Sequence, residues 1–585
     1  MKQRNIAIDA IKGLAIIAVA LYHFGGGLLP YGYLGVDIFF VVGGYLLIGS
    51  LTKQFTERKF KYWQYLIKKI VRLWPLVIAA SFLAIGLGFV LMLPDDFENL
   101  AESSIASSMF ANNILQCITT KNYWNITNLY KPLMHFWYVG VLMQAYVILP
   151  LIYLLSVKVA KNARKGMIVG TIGLTLLSFV LYCLPFIPAA WKFYYLPFRV
   201  FEITAGGLLT FSEKKAKDKT VVSWLSISVL LIMLCSRIEI LSSELMLFIT
   251  VISTMIFVFS TDGEEFKGII FRVLNTGAMI GKRSYSIYIW HQIVVAFLFY
   301  SFFPEQNLLA FALFAVITTI VSFLSYRLIE VPLANITEKR KQKIMVAVTA
   351  IFAIVLCAIS FIFYRNAGVV RDVPELNIYK NNVHRGMHAE YCDRPYDWNQ
   401  DFTEDGRINI LILGNSYGRD WANILYEWDK NKQLDISYLY YTEDAFNTST
   451  TKIELADIVF YAVGPGYDGV PAIVQAGVPE EKLYVVGNKC YGKSNGIIYS
   501  HRFSKDYFEQ VIEVNNDLID NINCDSKRFG DHFIDMMKPV MVDGTHSNVF
   551  TDNGKFISQD CRHLTQSGAI YYANHLDLEW ILSYR

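Results

Sequence analysis

Ser416, Asp560 and His563 have the residue types and the positions that nucleophilic catalysis requires. Ser416 follows the apolar run of residues 408–414, which is typical of a buried strand ending in a tight turn. Asp560 comes three residues before His563. A carboxylate can hold an imidazole in one tautomer, so that the second ring nitrogen takes the proton of a serine hydroxyl. We therefore predict that these three residues form one catalytic group.

A second set of reactive side chains lies within apolar stretches near the start of the sequence. Lys12 and His23 are eleven residues apart, which on a helix is three turns plus about 20°, so they share one face. Asp9 lies on the same stripe, and Asp37 opens the next apolar stretch after a short connection. We predict that Asp37 orients His23 and that Lys12 assists it, so that one imidazole nitrogen acts as a base or nucleophile. The alternative is that His23 only hydrogen-bonds within a helix bundle.

Two further histidines, His135 and His291, also lie inside apolar stretches, where an ionisable side chain is costly. For each of them a functional role and a buried structural role are both open. Arg199 and Glu202 stand three residues apart, and this spacing predicts a structural ion pair at a helix end.

The composition shows which elements must position these residues. Of the 585 residues, 54% are hydrophobic and 18% are charged, against about 25% charged in soluble domains. This excludes an ordinary soluble protein, a disordered chain and a nucleic-acid-binding protein. Eleven apolar stretches have about the length of a membrane span. They are 6–24, 34–51, 73–93, 134–156, 167–186, 196–211, 221–238, 240–260, 283–302, 306–326 and 344–364.

Charge divides the sequence after Arg365. Residues 1–365 carry 33 Lys and Arg against 18 Asp and Glu, whereas residues 366–585 carry 20 against 32. In the first part, Lys and Arg concentrate in every second loop between the apolar stretches, beginning with seven in residues 52–72. Because positive loops stay on the cytoplasmic side, we predict a cytoplasmic N-terminus. An odd number of spans then places the C-terminal part outside the cytoplasm.

The C-terminal part has the pattern of an α/β domain. Strand-like runs at 408–414, 435–441, 457–464 and 482–488 alternate with helical patterns, which predicts a parallel sheet between helix layers. The predicted architecture is a multi-pass α-helical membrane bundle of about 11 spans, followed by an extracytoplasmic three-layer α/β/α domain. The predicted boundaries are 1–343 for the bundle, 344–365 for a last membrane helix, 366–405 for a linker and 406–585 for the catalytic domain.

Motifs of residues 1–365 together resemble the acyltransferase-3 family, whose membrane proteins O-acylate cell-surface glycans. They include IDAIKGLAIIAVALYHF (8–24), GVDIFFVVGGYLL (35–47), RLWPL (72–76), GKRSYSIYIWH (281–291) and YRLIEVP (326–332). The family usually has Arg where Lys12 stands, and it keeps the histidine found at His23. The resemblance implies that an acyl group is taken from acyl-CoA on the cytoplasmic side. Lys12 and Arg72 are candidates for binding the CoA phosphates.

The C-terminal part resembles the SGNH/GDSL esterase family on two motifs. GNS (414–416) stands where that family usually has Gly-Asp-Ser, and DCRHL (560–564) matches its Asp-x-x-His-Leu block. The resemblance implies an acyl-serine ester at Ser416 and a site that stabilises an oxyanion. Its candidate donors are the Ser416 N–H and a glycine after the third strand, Gly464 or Gly466.

These features predict a bacterial membrane O-acetyltransferase with acetyl-CoA as donor, a surface polysaccharide as acceptor, and no permanently bound cofactor or metal. His23 would activate or receive the acyl group, and Ser416 would pass it to a sugar hydroxyl. Two alternatives are open: the outer domain removes acetyl groups as an esterase, or it binds glycan as an accessory to a membrane transporter. The particular polysaccharide (O-antigen, peptidoglycan, capsule or exopolysaccharide) and the oligomeric state are also open.

Cysteines and histidines outside these motifs receive a structural interpretation. An extracytoplasmic domain can keep disulfides, and four cysteines allow three pairings, but buried free thiols are an equally open alternative. The four are Cys392, Cys490, Cys524 and Cys561. We interpret His384, His388 and His546 as surface histidines, because they lack convincing metal-ligand spacing.

Overall fold

The chain divides into two compact units. The computed structural model describes residues 5–25, 29–120, 126–212, 220–236, 240–261, 268–303, 306–383, 388–442, 444, 446, 449–464, 467, 469–475 and 477–584. One unit, here called the helical unit, consists of residues 1–91 and 99–362. The other, the sheet unit, consists of residues 92–98 and 363–585.

Helices occupy most of the described part of residues 1–365. They are α1 (Ile6–Gly25), α2 (Gly35–Thr56), α3 (Tyr62–Leu91), α4 (Pro94–Ser108), α5 (Asn112–Thr119), α6 (Trp137–Ala160), α7 (Ala163–Cys183), α8 (Ala189–Tyr194), α9 (Leu196–Leu208), α10 (Thr220–Cys235), α11 (Ser243–Thr261), α12 (Gly268–Gly281), α13 (Ser284–Ser301), α14 (Leu308–Ser325), α15 (Val331–Ala334) and α16 (Lys339–Arg365). A short 3₁₀ turn, Met134–Phe136, leads into α6.

Eight helical segments within the described residues are long and apolar enough to cross a membrane, judged by length and composition. They are Ile6–Gly25, Gly32–Thr56, Tyr62–Leu91, Met134–Ala160, Ala163–Cys183, Ser243–Thr261, Leu308–Ala334 and Lys339–Arg365. The other three predicted spans also form helices. However, α9 and α10 have only 13 and 16 residues, and α13 carries His291 and Gln292 among its 18 residues. The apolar helical region is confirmed, whereas the count of eleven spans is not.

The connection between the predicted spans 240–260 and 283–302 contains the helix α12. This helix packs closely against α1 because glycines meet at the crossing. A Cβ atom at Gly13 would overlap the Gly277 carbonyl, and one at Gly281 would overlap the Asp9 carbonyl. Small residues allow two helix backbones to approach in this way inside a membrane.

Helices α2 and α9 make an equally close crossing. A Cβ atom at Gly44 would overlap the backbone of Ile203, and one at Gly206 would overlap the backbone of Val41. The close approach explains why α9 is so fully buried although it is short: its residues from Val200 to Gly207 are all buried.

The sheet unit contains a parallel sheet. Its strands are β1 (Ile408–Gly414), β2 (Leu434–Tyr440), β3 (Ile458–Ala462), β4 (Leu483–Val486) and β6 (Phe533–Ile534), in the order β2-β1-β3-β4-β6. Strands β5 (Val511–Glu513) and β7 (His546–Asn548) form a separate antiparallel pair. The helices of this unit are α17 (Glu390–Asp393), α18 (Ser416–Trp428), α19 (Thr450–Leu455), α20 (Val470–Gln475), α21 (Asn495–Ser500), α22 (Asn516–Phe529) and α23 (Gln566–His575).

Alternate residues of the central strands enter two different hydrophobic cores. In β1, Ile410 and Ile412 belong to one core, which also contains Trp421 of α18. Leu411 and Leu413 belong to the other, which also contains Ile473 of α20. Since successive side chains of a strand point to opposite faces, the sheet is covered on both sides. The prediction of a parallel α/β region is therefore confirmed.

Two adjacent glycines of α2 provide a matched test of the α2–α9 contact. We expect Gly44→Ala to lower the thermal unfolding temperature of the purified protein, because the new methyl group meets the backbone of Ile203. Gly43→Ala is the control: a Cβ atom there has no neighbour within 4 Å among the described residues. It should be neutral or slightly stabilising, since Ala favours a helix over Gly by about 1 kcal/mol. Equal unfolding temperatures for the two variants would contradict the close crossing.

Candidate active site

Ser416, His563 and Asp560 form one hydrogen-bonded chain in the sheet unit. The Ser416 hydroxyl lies 2.7 Å from Nε2 of His563, and Nδ1 of the same ring lies 2.7 Å from Oδ2 of Asp560. Because an ionised carboxylate only accepts hydrogen bonds, Nδ1 carries the proton and the Nε2 lone pair faces the serine hydroxyl. The structure thus brings the three predicted residues together in the arrangement that activates a serine nucleophile.

Strand β1 and helix α18 place the serine. Gly414 ends β1, and Ser416 is the first residue of α18. Between them, the Asn415 side chain caps the helix by accepting the Tyr417 N–H at 3.0 Å, and it donates to the carbonyl of Val463 next to β3. Ser416 therefore lies at the carboxyl end of a central strand and at the positive end of a helix dipole.

The loop of Asp560 and His563 is organised by the carboxylate itself. Asp560 accepts the backbone N–H groups of Arg562 and His563 at 3.0 and 2.7 Å, and Cys561 between them has a φ of +66°. Burial raises the pKa of the Asp560 carboxyl, but its hydrogen bond and charge interaction with His563 lower that pKa well below its usual range. Asp560 is therefore an ionised partner at neutral pH, as the orientation of His563 requires.

Asp420 connects α18 with the loop that carries His563. Its Oδ2 accepts the Leu564 N–H at 3.0 Å and lies 3.0 Å from Nζ of Lys489, and both charged side chains are at most 2% exposed. Burial raises the pKa of Asp420, but Lys489 and Arg419 lower it below its usual value. The charged carboxylate thus holds the residue next to His563 in place. Asp420 was not among the predicted site residues; its only signal in the sequence is that it is a charged residue on the helix that follows the nucleophile.

The candidate oxyanion site is described only in part. Gly464 follows β3 with a φ of +88°, and a Cβ atom there would press on the ring of Tyr417, the residue after Ser416. Gly464 is therefore next to the catalytic serine's helix, and its role as a donor stays a prediction. Gly466 lies outside the described residues.

His388 is not the surface histidine that the sequence analysis expected. Its ring meets the ring of His563 edge to face with centroids 5.2 Å apart, and its Nδ1 lies 3.2 Å from Oε1 of Gln559. Burial, together with the nearby Arg419 and His563, lowers the pKa of His388. The ligand atoms of His388, Asp560 and His563 lie within 4.8 Å of one another. A metal ion there would compete with the hydrogen bonds that both ring nitrogens of His563 already make. His384 lies outside the described residues.

The four cysteines of the sheet unit are free thiols: Cys392 and Cys561 are buried, Cys490 is half-buried and Cys524 is exposed. Burial raises the pKa of Cys392 to about 12, and Cys392 contacts Gln559 and the Leu564 carbonyl beneath the catalytic loop. A thiol in such a setting is a packing group rather than a nucleophile.

In the helical unit, three histidines from three different elements form a buried cluster. Nδ1 of His23 on α1 lies 2.8 Å from Nε2 of His291 on α13. His135, in the turn before α6, lies beside His291 with ring centroids 5.0 Å apart. His23 is 5% exposed, and His135 and His291 are fully buried. Each histidine was a separate candidate in the sequence, and their meeting in one cluster was not predicted.

Asp37 is placed differently from the prediction. Its Oδ1 accepts a hydrogen bond from Nη1 of Arg199 at 2.9 Å, and the same nitrogen lies 2.7 Å from Glu202. The close α2–α9 crossing brings these residues together. The predicted Arg199–Glu202 ion pair is confirmed, but the structure joins Asp37 to that pair and joins His23 to His291.

The candidate CoA-binding residues are Lys12 and Arg72, and Lys12 lies apart from the histidine cluster. Nζ of Lys12 is 3.6 Å from Asp9 on the same helix. An eleven-residue separation along a helix is about 16 Å, so Lys12 does not reach the ring of His23. Arg72 is on α3, and its side chain is exposed.

Comparison with known proteins gives a family match over most of the helical unit. Residues 5–327 match the family Acyl_transf_3, described as an acyltransferase domain. The chain belongs to this acyltransferase family. It is 28% identical over 348 residues to the peptidoglycan O-acetyltransferase OatA of Listeria monocytogenes. The aligned region covers 56% of this chain and 55% of that protein.

Two further relatives are staphylococcal proteins. The chain is 26% identical over 353 residues to a putative O-acetyltransferase of Staphylococcus aureus strain COL, covering 57% of this chain and 58% of the relative. It is 24% identical over 348 residues to O-acetyltransferase OatA of S. aureus strain NCTC 8325, covering 56% of each. The chain spans a little more than half the length of these curated relatives.

Asp560 can be tested through a change that keeps its shape. We expect Asp560→Asn to lower the turnover of a small acetyl ester by about 10⁴, because the amide no longer specifies the reactive tautomer of His563. Since the folded-state pKa of Asp560 is depressed, any stability that its ionised form contributes is present above its unfolded pKa of about 3.9. That contribution is lost as the pH falls through the lower folded pKa. Urea unfolding of both proteins in a pH series that begins at about pH 6 and continues well below the unfolded pKa of about 3.9 measures it.

The role of the buried Asp420 carboxylate can be tested in the same way, with an exposed aspartate as the control. Asp420→Asn removes the buried carboxylate that pairs with Lys489 and leaves Arg419 with Asp393 alone. Breaking a buried ion pair typically costs about 3–5 kcal/mol. We expect a lower free energy of unfolding, together with reduced esterase activity as the His563 loop loosens. Asp577→Asn, at an exposed position near the C-terminus, is the control and should change neither quantity. An Asp420 variant as stable as the control would contradict the role given to this carboxylate.

Proposed function

We propose that this protein is a bacterial membrane O-acetyltransferase that transfers an acetyl group from cytoplasmic acetyl-CoA to hydroxyls of a surface or cell-wall polysaccharide. The observation that carries the proposal is the hydrogen-bonded Ser416–His563–Asp560 chain, in a unit that follows an acyltransferase domain. An acyltransferase domain needs an acceptor for its acyl group, and an activated serine is a suitable one.

The proposed chemistry of the sheet unit has two steps. First, Ser416 Oγ attacks the acyl carbonyl while His563 Nε2 takes its proton, which gives an acyl-serine ester. Second, His563 removes the proton of a sugar hydroxyl, the sugar oxygen attacks the ester, and the proton returns to Ser416. Transfer to the sugar is faster than hydrolysis when the bound sugar keeps water away from the ester.

An SGNH/GDSL-type domain is the proposed identity of the sheet unit. Three features support it: a parallel sheet of order β2-β1-β3-β4-β6, a serine directly after its β1 strand, and an Asp-x-x-His loop before α23. The Ser416 N–H and Gly464 are the proposed oxyanion donors.

The helical unit would load the acyl group. We assign His23 as the residue that receives it from acetyl-CoA, with Lys12 and Arg72 binding the CoA phosphates where the basic loops lie. The alternation of basic loops supports a cytoplasmic N-terminus and an extracytoplasmic sheet unit. Acetyl-CoA is a substrate here and not a resident cofactor.

Peptidoglycan is the proposed acceptor, because the Listeria relative is named a peptidoglycan O-acetyltransferase. Residues 366–585 carry a net negative charge, with 20 Lys and Arg against 32 Asp and Glu. Such a domain would not hold an anionic polymer by overall charge, nor a nucleic acid. An acidic glycan would need a local groove.

The decisive experiment measures ester-linked acetyl groups on peptidoglycan isolated from cells that express variants of the full chain. We expect Ser416→Ala and His23→Ala each to abolish the acetylation that the wild-type chain adds. His546→Ala is the control, because His546 is at the surface and pairs with Asp543 outside both sites. It should leave acetylation unchanged.

The same measurement distinguishes the alternatives. A gain of acetyl groups in Ser416→Ala would show that the sheet unit is a deacetylase. Unchanged acetylation in both variants would exclude the enzymatic proposal. Loss with His23→Ala alone would show that Ser416 is not on the transfer route.

A further inference from the structure

We propose that His291 is the orienting and proton-accepting partner of His23 in the acyl-loading step of the membrane bundle. The inference deepens the proposed function and rests on it. One contact between histidine rings and three contacts with backbone carbonyl groups support it, all within the helical unit.

The backbone of α13 determines which nitrogen of His291 carries a proton. Nδ1 of His291 lies 2.7 Å from the carbonyl oxygen of Tyr288 and 3.2 Å from that of Ile287. A carbonyl oxygen can only accept a hydrogen bond, so Nδ1 must be the protonated nitrogen. In the neutral ring, Nε2 is then an acceptor.

The tautomer of His291 determines which ring nitrogen of His23 carries the proton. Nδ1 of His23 lies 2.8 Å from the Nε2 acceptor of His291, so this nitrogen of His23 must be the donor. The two ring planes differ by only 20° with centroids 5.0 Å apart, so the rings meet edge to edge. For two neutral rings, the basic lone pair of His23 is therefore on Nε2, as a nucleophile requires.

His291 can also take up the proton that acyl transfer releases. Nε2 of His23 bonds to the carbonyl carbon of the acyl thioester, and the carbon–sulfur bond breaks to leave the CoA thiolate. The Nδ1 proton of His23 moves to Nε2 of His291, which becomes an imidazolium held by its two carbonyl contacts. That proton then passes to the thiolate, so that acyl-His23, the CoA thiol and neutral His291 result.

His135 supplies independent support for a ligand at this cluster. Its Nε2 lies 3.1 Å from the Ile289 carbonyl, so Nε2 carries the proton and Nδ1 is an acceptor. Nδ1 is buried and has no hydrogen-bond partner among the described residues. A buried acceptor left unpaired costs about 1–3 kcal/mol, and a ligand that donates a hydrogen bond would satisfy it. The amide N–H groups of the pantetheine arm of acetyl-CoA are such donors.

The test uses the full chain in detergent with Ser416→Ala, so that an acyl group loaded in the membrane is not passed on. The probe is radiolabelled acetyl-CoA, and the measurement is the rate of labelling at several concentrations. His291→Gln keeps a hydrogen-bond acceptor but cannot take a proton. We expect its maximal rate to fall by about 100-fold or more, the usual contribution of acid–base catalysis, with an unchanged half-saturating concentration.

Trp290→Phe is the matched control. Trp290 is the neighbour of His291 on α13, is also buried, and donates to Ser325 rather than to the histidine cluster. It should label at nearly the wild-type rate. If His291→Gln labels as fast as Trp290→Phe while His23→Ala does not label, the role of His291 is overturned and the proposed function survives. If the labelling does not depend on His23, both are overturned.

A second measurement needs no substitution of His291 and so does not depend on the folding of that variant. Nitrogen NMR of ¹⁵N-histidine in the full chain distinguishes protonated from unprotonated ring nitrogens, with the His23 signals assigned from their loss in His23→Ala. We expect His23 and His291 to be protonated at Nδ1. A His23 ring protonated at Nε2 instead would overturn the inference.

Discussion

The carboxylate of Asp420 is buried beneath the loop that carries His563, and it is tolerated there because Lys489 and Arg419 neutralise it. An unpaired charge at such a position would cost several kcal/mol. The pairing therefore links the helix of the nucleophile with the loop of the base. The geometry of Ser416 and His563 therefore depends on this buried ionic contact as well as on their own hydrogen bond.

Buried charged side chains in the helical unit also need charged partners, which are different residues there. The buried guanidinium of Arg199 lies within hydrogen-bond distance of two buried carboxyl groups, those of Asp37 and Glu202. In the proposed loading step, His23 is oriented by the neutral ring of His291, because the nearby Asp37 carboxyl group already contacts Arg199. A neutral partner orients a histidine without burying a further charge, which suits an apolar bundle.

Sequence patterns predicted most of what lies within single elements. The apolar stretches, the parallel strands and the Ser416, Asp560 and His563 motifs were all readable, because each depends on local spacing. The pairing of Asp37 with His23 was inferred from neighbouring helices, and it failed because α9 supplies a stronger partner from a distant part of the chain. The interpretation of His388 as a surface histidine was wrong, because its neighbour His563 is distant in sequence.

The amino-acid sequence by itself determined the membrane composition of one part, the α/β pattern of the other, and the residue types of the catalytic chain. These follow from hydrophobic periodicity and from short-range motifs, which the sequence displays directly. Only the tertiary structure decided that three histidines from α1, α13 and the turn before α6 meet, and that Asp420 supports the loop of His563. Such contacts join residues more than a hundred positions apart, and they depend on helix crossings and burial that no local pattern encodes.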